Sequence, residues 1–411
     1  MGKVLAAVSK HGLRAGLGYA AARWAQVRLS VPYDVARDYA WILNQDNPAA
    51  LPAPKTGPLK INWLIPGLVG GSGGQLNIFR TIHYLEQWGH ENRVYAIARN
   101  TPAGAAAQRL LRDFYFPIKA PIEIFDGKVA DSDALVATEW TTAYVARALS
   151  NTAGKFYFVQ DLEDRFYADG SLAEFARETY RWHYHGLTLG YWIAEVLQDE
   201  FDMPCSPFGF SFDRGIYSSD RQESARRQNR VLFYARPASE RRGFELGILA
   251  LSLVAKQRPD VEFVLVGFRP RSMRIPFHGV FPGVLPPSEL AKLYRSCEVA
   301  LVLSHTNLSM LPLELMACGC AVVSNRGRNV EWLLTDEIAQ LANATPESLA
   351  EAILRILNNE ELRSRKVAAG LAFAQRTDWV SETRLVEKGI FQGLKTADGS
   401  TARPLDGAVV A

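Results

Sequence analysis

The chain is poor in cysteine, with four in 411 residues. Cys205, Cys297, Cys318 and Cys320 have no C-x-x-C spacing and no histidine cluster near them. That pattern gives neither a zinc site nor a disulfide framework, and reduced thiols are expected. Long apolar runs are missing as well. None approaches the ~18 residues that cross a bilayer. Lys10 and Arg14 interrupt the stretch a signal peptide would need to keep apolar, so the cytoplasm is the expected compartment. A charge excess of one sign is also lacking. Forty-six Lys and Arg stand against 43 Asp and Glu, a net +3, so charge implies no nucleic-acid partner.

What is present is a long chain of ordinary apolar content, too long for one typical core. Residues 1–55 read as a helical extension and linker. Leu13, Leu17, Ala20, Trp24 and Val27 recur at helical spacing, with Lys10, Arg14, Arg23 and Arg28 as a basic complement. Such a helix packs on the body of the protein or lies peripherally on an anionic membrane through residues 1–30. The stretch "NPAALPAPKTGP" then reads as a linker.

From Lys60 onward, strand-like and helix-like runs alternate. "KINWLIPGL", "HENRVYAIA", "ALVATEW" and "KFYFVQD" are strand candidates in the first half, with a helix over Leu76–Trp88. After the connection "FGFSFDRGIYSSDRQ" the alternation restarts with "RVLFYARP", "VEFVLVGF", "EVALVLS" and "CAVVSN". Alternation of this kind predicts parallel, doubly wound sheets, here two Rossmann-like units in series. The expected boundaries are 56–212 and 213–376, then a helix over 377–395 and a disordered tail over 396–411.

Four short stretches carry candidate chemistry. The loop "PGLVGGSGGQLNIF" follows a strand and opens a helix, and its glycines let backbone N–H groups approach a ligand. Leu76 stands where a dinucleotide fingerprint needs its third glycine, and no G-x-x-x-x-G-K-[ST] occurs. "DSD" over Asp131–Asp133 resembles a metal-binding D-x-D but precedes a strand, so solvated acids in a connection are expected. In "YARPASERRGFE", Arg236 follows a strand end, and Arg241 and Arg242 come just after. Ligands of open α/β sheets bind at carboxyl ends of strands, where guanidinium groups clamp a diphosphate. In "SMLPLELMACG", Pro312 suits a first helical turn and Glu314 falls near N3, where a carboxylate caps free donors or accepts from sugar hydroxyls. The amides of Ser309, Met310 and Leu311 are expected to face phosphate oxygens.

These residues resemble a family. "MLPLELMACGCAVVSN" is similar to the "PLLEAMACGxPVV" segment of family 4 retaining glycosyltransferases of the GT-B fold, and "LFYARPASERRG" to their "GRLxxxKG" segment. "INWLIPGLVGGSGGQLNIFRTIHYLEQWGHENRVYAI" and "FYFVQDLEDRFY" resemble the rhamnosyltransferases of WsaF type. The resemblance implies two Rossmann domains about a cleft, with a nucleotide sugar held by the second. Arg236 and Arg242 (or Arg241) match the basic pair at the leaving diphosphate. Glu314 matches the second acid of E-(x)7-E, and Thr306 stands where the first acid belongs.

The activity so implied is metal-independent transfer with retention, from a nucleotide donor such as dTDP-L-rhamnose to a glycan or lipid-linked glycan. No cofactor beyond that donor is implied. Gly73, Gly74, Gln160 and Asp161 are the expected acceptor-side cleft residues, with Glu163 close by and His83 on a helix face. A nucleotide-sugar 2-epimerase and an inactive glycan-binding scaffold remain the alternatives.

Overall fold

The computed structural model describes residues 35–53, 56–98, 100–102, 104–219, 229–270 and 273–398. The basic helix expected within residues 1–30 lies outside them, as does the tail beyond residue 398. Residues 1–45 separate from the rest as a unit of their own, described only by the short helix Val35–Asp38 and the 3-10 turn Ala40–Leu43. Among the described residues no helix is long and apolar enough to cross a membrane.

The remainder holds two sheets. The first contains β1 (Lys60–Ile65), β2 (Glu91–Ala96), β3 (Ile122–Ile124), β4 (Ser132–Ala137), β5 (Thr152–Val159), β6 (His185–Leu189) and β7 (Cys205–Phe208). Its order is β3-β2-β1-β4-β5-β6-β7. The second contains β8 (Arg230–Tyr234), β9 (Glu262–Val266), β10 (Gly279–Gly283), β11 (Val299–Val302), β12 (Ala321–Asn325) and β13 (Gln340–Ala342), in the order β10-β9-β8-β11-β12-β13. Neighbours pair in parallel throughout, for example Ile61 beside Ala134 and Val299 beside Val231. Runs such as "KINWLI" and "VALV" are apolar on both faces because helices cover both sides of a parallel sheet.

Each sheet reverses its order once, between β1 and β4 and between β8 and β11. Those reversals leave a crevice at the carboxyl ends of the strands, the place where open α/β folds bind ligands. The expected eight strands are present. Four of the five others, β3, β7, β10 and β13, are short edge strands.

The chain crosses between sheets twice. The outward crossing follows Phe208. The return is the helix Trp379–Asp398, which runs three residues past the expected helix end at 395. Instead of extending the second domain, this helix packs on the first sheet through Val386, Ile390 and Leu394. Glycines permit the contact: a Cβ on Gly393 would stand 2.4 Å from the Phe156 ring and 2.9 Å from His185. His90 Nε2 meets Glu387 at 2.9 Å, and Arg384 lies over the Trp88 ring.

"DSD" binds neighbouring chain. Asp133 accepts the Lys60 N–H at 2.6 Å and Asp131 accepts from Asn151. The four cysteines are unbridged.

Candidate functional site

The loop after β1 is arranged by Ser72, whose hydroxyl caps the helix Gly73–Gln87 by accepting the Gln75 N–H. Gly71 takes φ +74°, a conformation that favours glycine. The Gly74 carbonyl accepts from Gln160 Nε2 at 3.1 Å, and a Cβ on Gly74 would press on that amide. Gln160 Oε1 in turn accepts from Asn77 at 3.0 Å. The Gly loop therefore sits against the carboxyl end of β5, where Gln160 and Asp161 follow the strand. Gly73 has open space around its Cα. His83 hydrogen-bonds the Pro117 carbonyl and Gln87 on its own helix, away from these groups.

Asp161, expected as an acceptor-side cleft residue, reaches across to the second domain with its carboxylate. It accepts from Thr306 Oγ1 at 2.9 Å, from the Asn307 N–H at 2.8 Å and from Arg241 Nε at 3.3 Å. Burial pushes its pKa up, against the pull of Arg242 and Arg241. Thr306, at the position where the resemblance calls for an acid, is thus 2.9 Å from an acid of the opposite half.

Sequence reasoning missed Asn307, the residue that locks this joint. Its side-chain amide donates to the carbonyls of Gln160 at 2.9 Å and Leu189 at 2.6 Å, both in the first domain. Its Oδ1 accepts from Trp332. Gly190, at φ +118°, lets the loop come this close, since a Cβ there would stand 3.0 Å from Trp332 and 3.4 Å from Asn307. The only signal in the sequence was its adjacency to Thr306.

The arginines lie beside this joint. Arg236 is exposed just past β8, over the Tyr234 ring and 3.3 Å from its hydroxyl. Arg241 pairs with Asp161 and lies over Phe166 at 4.1 Å. Arg242 turns inward and donates to Ser304 Oγ at 2.7 Å and to the Asn307 carbonyl at 2.9 Å. Burial lowers the Arg242 pKa to about 10; Asp161 opposes that shift, and Arg241 and Arg236 add to it. The structure therefore brings Arg236, Arg241, Arg242, Thr306 and Asp161 together. Both candidates for the second basic position face the cluster, in different directions.

Glu314 departs from its expected place. The helix is Leu311–Ala317 with Met310 as N-cap, which puts Pro312 at N2 and Glu314 at N4, one step beyond capping reach. The carboxyl bonds the Tyr217 hydroxyl and lies beside Asp213 and Arg80. Burial raises its pKa to about 8, with Asp213 adding to the rise and Arg80 opposing it. Glu314 and the arginines belong to adjoining clusters: Tyr294 feels both Glu314 and Tyr234, the ring under Arg236. At the same helix start the Leu311 N–H faces Ser309 Oγ at 3.4 Å, while the N–H groups of Ser309 and Met310 find no acceptor among the described residues.

A third acidic group lies behind Asp161. Glu163 is buried, accepts from the Trp140 N–H at 2.6 Å and from the Tyr157 hydroxyl at 2.9 Å, and has its pKa raised by burial to about 8. A hollow of about 610 Å³ lined by Glu86, His90, Arg93 and Lys119 lies at the amino ends of β2 and β3. Those are the wrong ends of the strands for this fold's ligands, and nothing there matches the arginine cluster.

Parts of the chain are similar to known proteins. Residues 229–354 match the family described as WsaF, C-terminal domain. The O-antigen biosynthesis protein RfbC of Myxococcus xanthus is 34% identical over 263 residues, which is 63% of this chain and 20% of that protein. A phosphatidyl-myo-inositol mannosyltransferase of Mycobacterium tuberculosis is 30% identical over 212 residues, 48% of this chain and 55% of that one. The chain thus spans a fifth to about half the length of these relatives. Among solved structures, Anabaena HepE in complex with UDP and glucose superimposes with a TM-score of 0.63 at 15% identity, covering 81% of this chain and all of that one. In fold, therefore, the chain is a GT-B protein, and its residues 229–354 are similar to the WsaF C-terminal domain.

Proposed function

We propose that this chain is a glycosyltransferase that moves a sugar from a nucleoside diphosphate to a glycan acceptor. One observation carries the reading. Arg236, Arg241 and Arg242 converge at the carboxyl end of β8, and among the described residues Asp161 is the carboxylate set against them. Two guanidinium groups, Arg241 and Arg242, face one carboxylate with Arg236 beside them, which leaves a surplus of positive charge in a partly buried crevice. A departing diphosphate develops negative charge there, and preorganised cations lower the barrier most in a site that excludes water. The relatives' names point the same way, to O-antigen biosynthesis and mannosyl transfer.

The finer reading is transfer of L-rhamnose from dTDP-L-rhamnose onto a glycan or lipid-linked glycan, with retention, at the cytoplasmic face of a membrane. Support for rhamnose is the WsaF-type match over the donor half. The arginine cluster fills the cationic role at the diphosphate, so the proposal needs no divalent ion. Purified protein offered labelled dTDP-L-rhamnose, UDP-glucose and GDP-mannose, with and without rhamnan fragments and with and without EDTA, tests both levels. Transfer or slow donor hydrolysis that survives EDTA supports the reading. A donor converted into another nucleotide sugar without acceptor indicates the epimerase, and tight binding without turnover indicates the scaffold.

A further inference from the structure

Arg80 lies in the helix Gly73–Gln87 and is 1% exposed. A buried guanidinium costs several kcal/mol to desolvate, and apolar side chains of similar volume fill such a place at lower cost. Its contacts give it a use. NH2 makes bonds of 3.0 and 2.8 Å to both oxygens of Asp213, in the outward crossing between the domains. The guanidinium plane lies 4.1 Å from the Trp379 ring, at the return crossing, and 5.0 Å from Phe116. NH1 donates to Asn77 Oδ1 at 2.9 Å, and Asn77 holds Gln160, the neighbour of Asp161. The same nitrogen is 3.7 Å from Met310 Sδ, at the N-cap of the helix that carries Glu314.

One side chain thus touches both strands of chain that join the halves, and the support of both faces of the crevice. Arginine's planar fork is the side chain that reaches so many groups at once. We propose that Arg80 is the pin of the interdomain hinge, a positioning residue that keeps Gln160–Asp161 and Met310–Glu314 in register as the halves rotate. Hinge closure about a ligand moves whole domains on a few residues, so a group fixed to both crossings transmits the rotation to the crevice. Trp379 and Asp213 would swing about the guanidinium, while Asn77 and Met310 follow it. The inference rests on the transferase reading, because the register matters for turnover.

The test uses the full chain carrying Arg80→Gln, Arg80→Lys or Asp213→Asn, with UDP as the binding probe. Turnover is measured with whichever of UDP-glucose and dTDP-L-rhamnose the wild-type protein consumes. Donor contacts stay intact, so UDP affinity is expected to hold within about twofold, donor KM to stay near wild type and kcat to fall tenfold or more. Arg80→Lys keeps the charge without the fork and is expected to remain tenfold low. Small-angle scattering of the ligand-free variants is expected to give a larger radius of gyration than wild type. Should Arg80→Gln fail to fold, Asp213→Asn carries the test, since it leaves Arg80 stacked on Trp379. Parallel losses of UDP affinity and kcat, or unchanged kcat and unchanged scattering, overturn the proposal. Absence of wild-type turnover with every nucleotide sugar sinks the transferase reading instead, and scattering alone then decides the hinge.

Discussion

Replacing Asp161 with asparagine should tighten nucleotide binding and slow turnover, an unusual pairing of signs. Asp161 makes contacts with the second domain through Thr306 Oγ1, the Asn307 N–H and Arg241 Nε. An asparagine keeps one carbonyl oxygen for Asn307, and its NH2 meets the Thr306 hydroxyl, which can turn round and accept. The charge-assisted bond to Arg241 has no such substitute. Bonds to charged groups contribute ~1.5–3 kcal/mol, and Arg241 is 28% exposed, so the low end applies. About 1.5 kcal/mol removed from the joint shifts the closing equilibrium roughly tenfold toward open. The same change removes the negative charge facing Arg241 and Arg242. At a separation of about 8 Å and an effective dielectric of about 20, each unit of ligand charge is relieved of ~2 kcal/mol before salt screening. Calorimetric titration with UDP should therefore show severalfold tighter binding at low salt, with the gain shrinking at high salt. Steady-state assays should show kcat reduced tenfold or more. Weaker UDP binding, or unchanged affinity together with unchanged kcat, would refute the placement of Asp161 as counter-ion to the donor arginines.

Arg236→Ala removes an exposed group and should leave the melting temperature within a degree or two. UDP binding should weaken about tenfold to a hundredfold by the loss of one charge-assisted contact, a change visible by titration. Glu163 gives a pH signature. Its folded pKa, about 8, lies above the ordinary carboxyl value, so the folded state holds a proton that the unfolded chain has released. Its contribution to stability is therefore greatest below about pH 4.5 and declines as pH rises toward 8. Urea melts of Glu163→Gln across that range should lack this decline, and parallel wild-type and variant curves would show that Glu163 ionises normally. Gly393→Ala should destabilise by ~1–3 kcal/mol, because the added methyl meets Phe156 and His185 inside van der Waals distance. A melting temperature equal to wild type would mean that the return helix shifts freely on the first sheet.

The strands easiest to find in the sequence were those buried on both faces. "KINWLI", "RVLFY", "EFVLV" and "AVVSN" are central or near-central, and continuous apolar runs leave little choice but a covered parallel sheet. Edge strands β3 and β13, three residues each, carry too little pattern to separate from loops, and β10 contains glycine at both ends and a proline. The return helix was legible as a helix but not as a partner of the first sheet. Its contact surface is made partly of Gly389 and Gly393, and a glycine in a helix reads locally as a weakness. Only the facing Ser206, Phe156 and His185, far away in sequence, turn it into a fit.

The site divides along the same line. Arg236 follows an apolar strand directly and Arg241 and Arg242 lie in the turn after it, so strand position puts them at the crevice. Asp161 was equally legible as a strand-end residue, but its partners were not. Thr306 reads as a lost charge when only its own domain is considered. In the fold, the negative charge at that place is present, carried by the first domain and held there by Thr306 and Asn307. An acid delivered by the opposite half is in place only while the halves touch, whereas one built into the donor loop would be there in every state. The arginine cluster therefore carries its full positive surplus when the crevice is open and a reduced one when it is closed. Under the proposed transfer, such an arrangement would draw an anionic donor toward an open form and leave the closed form balanced about the departing diphosphate. Residues 161 and 306 have to be read as one unit for that logic to appear, and no spacing rule within either domain links them.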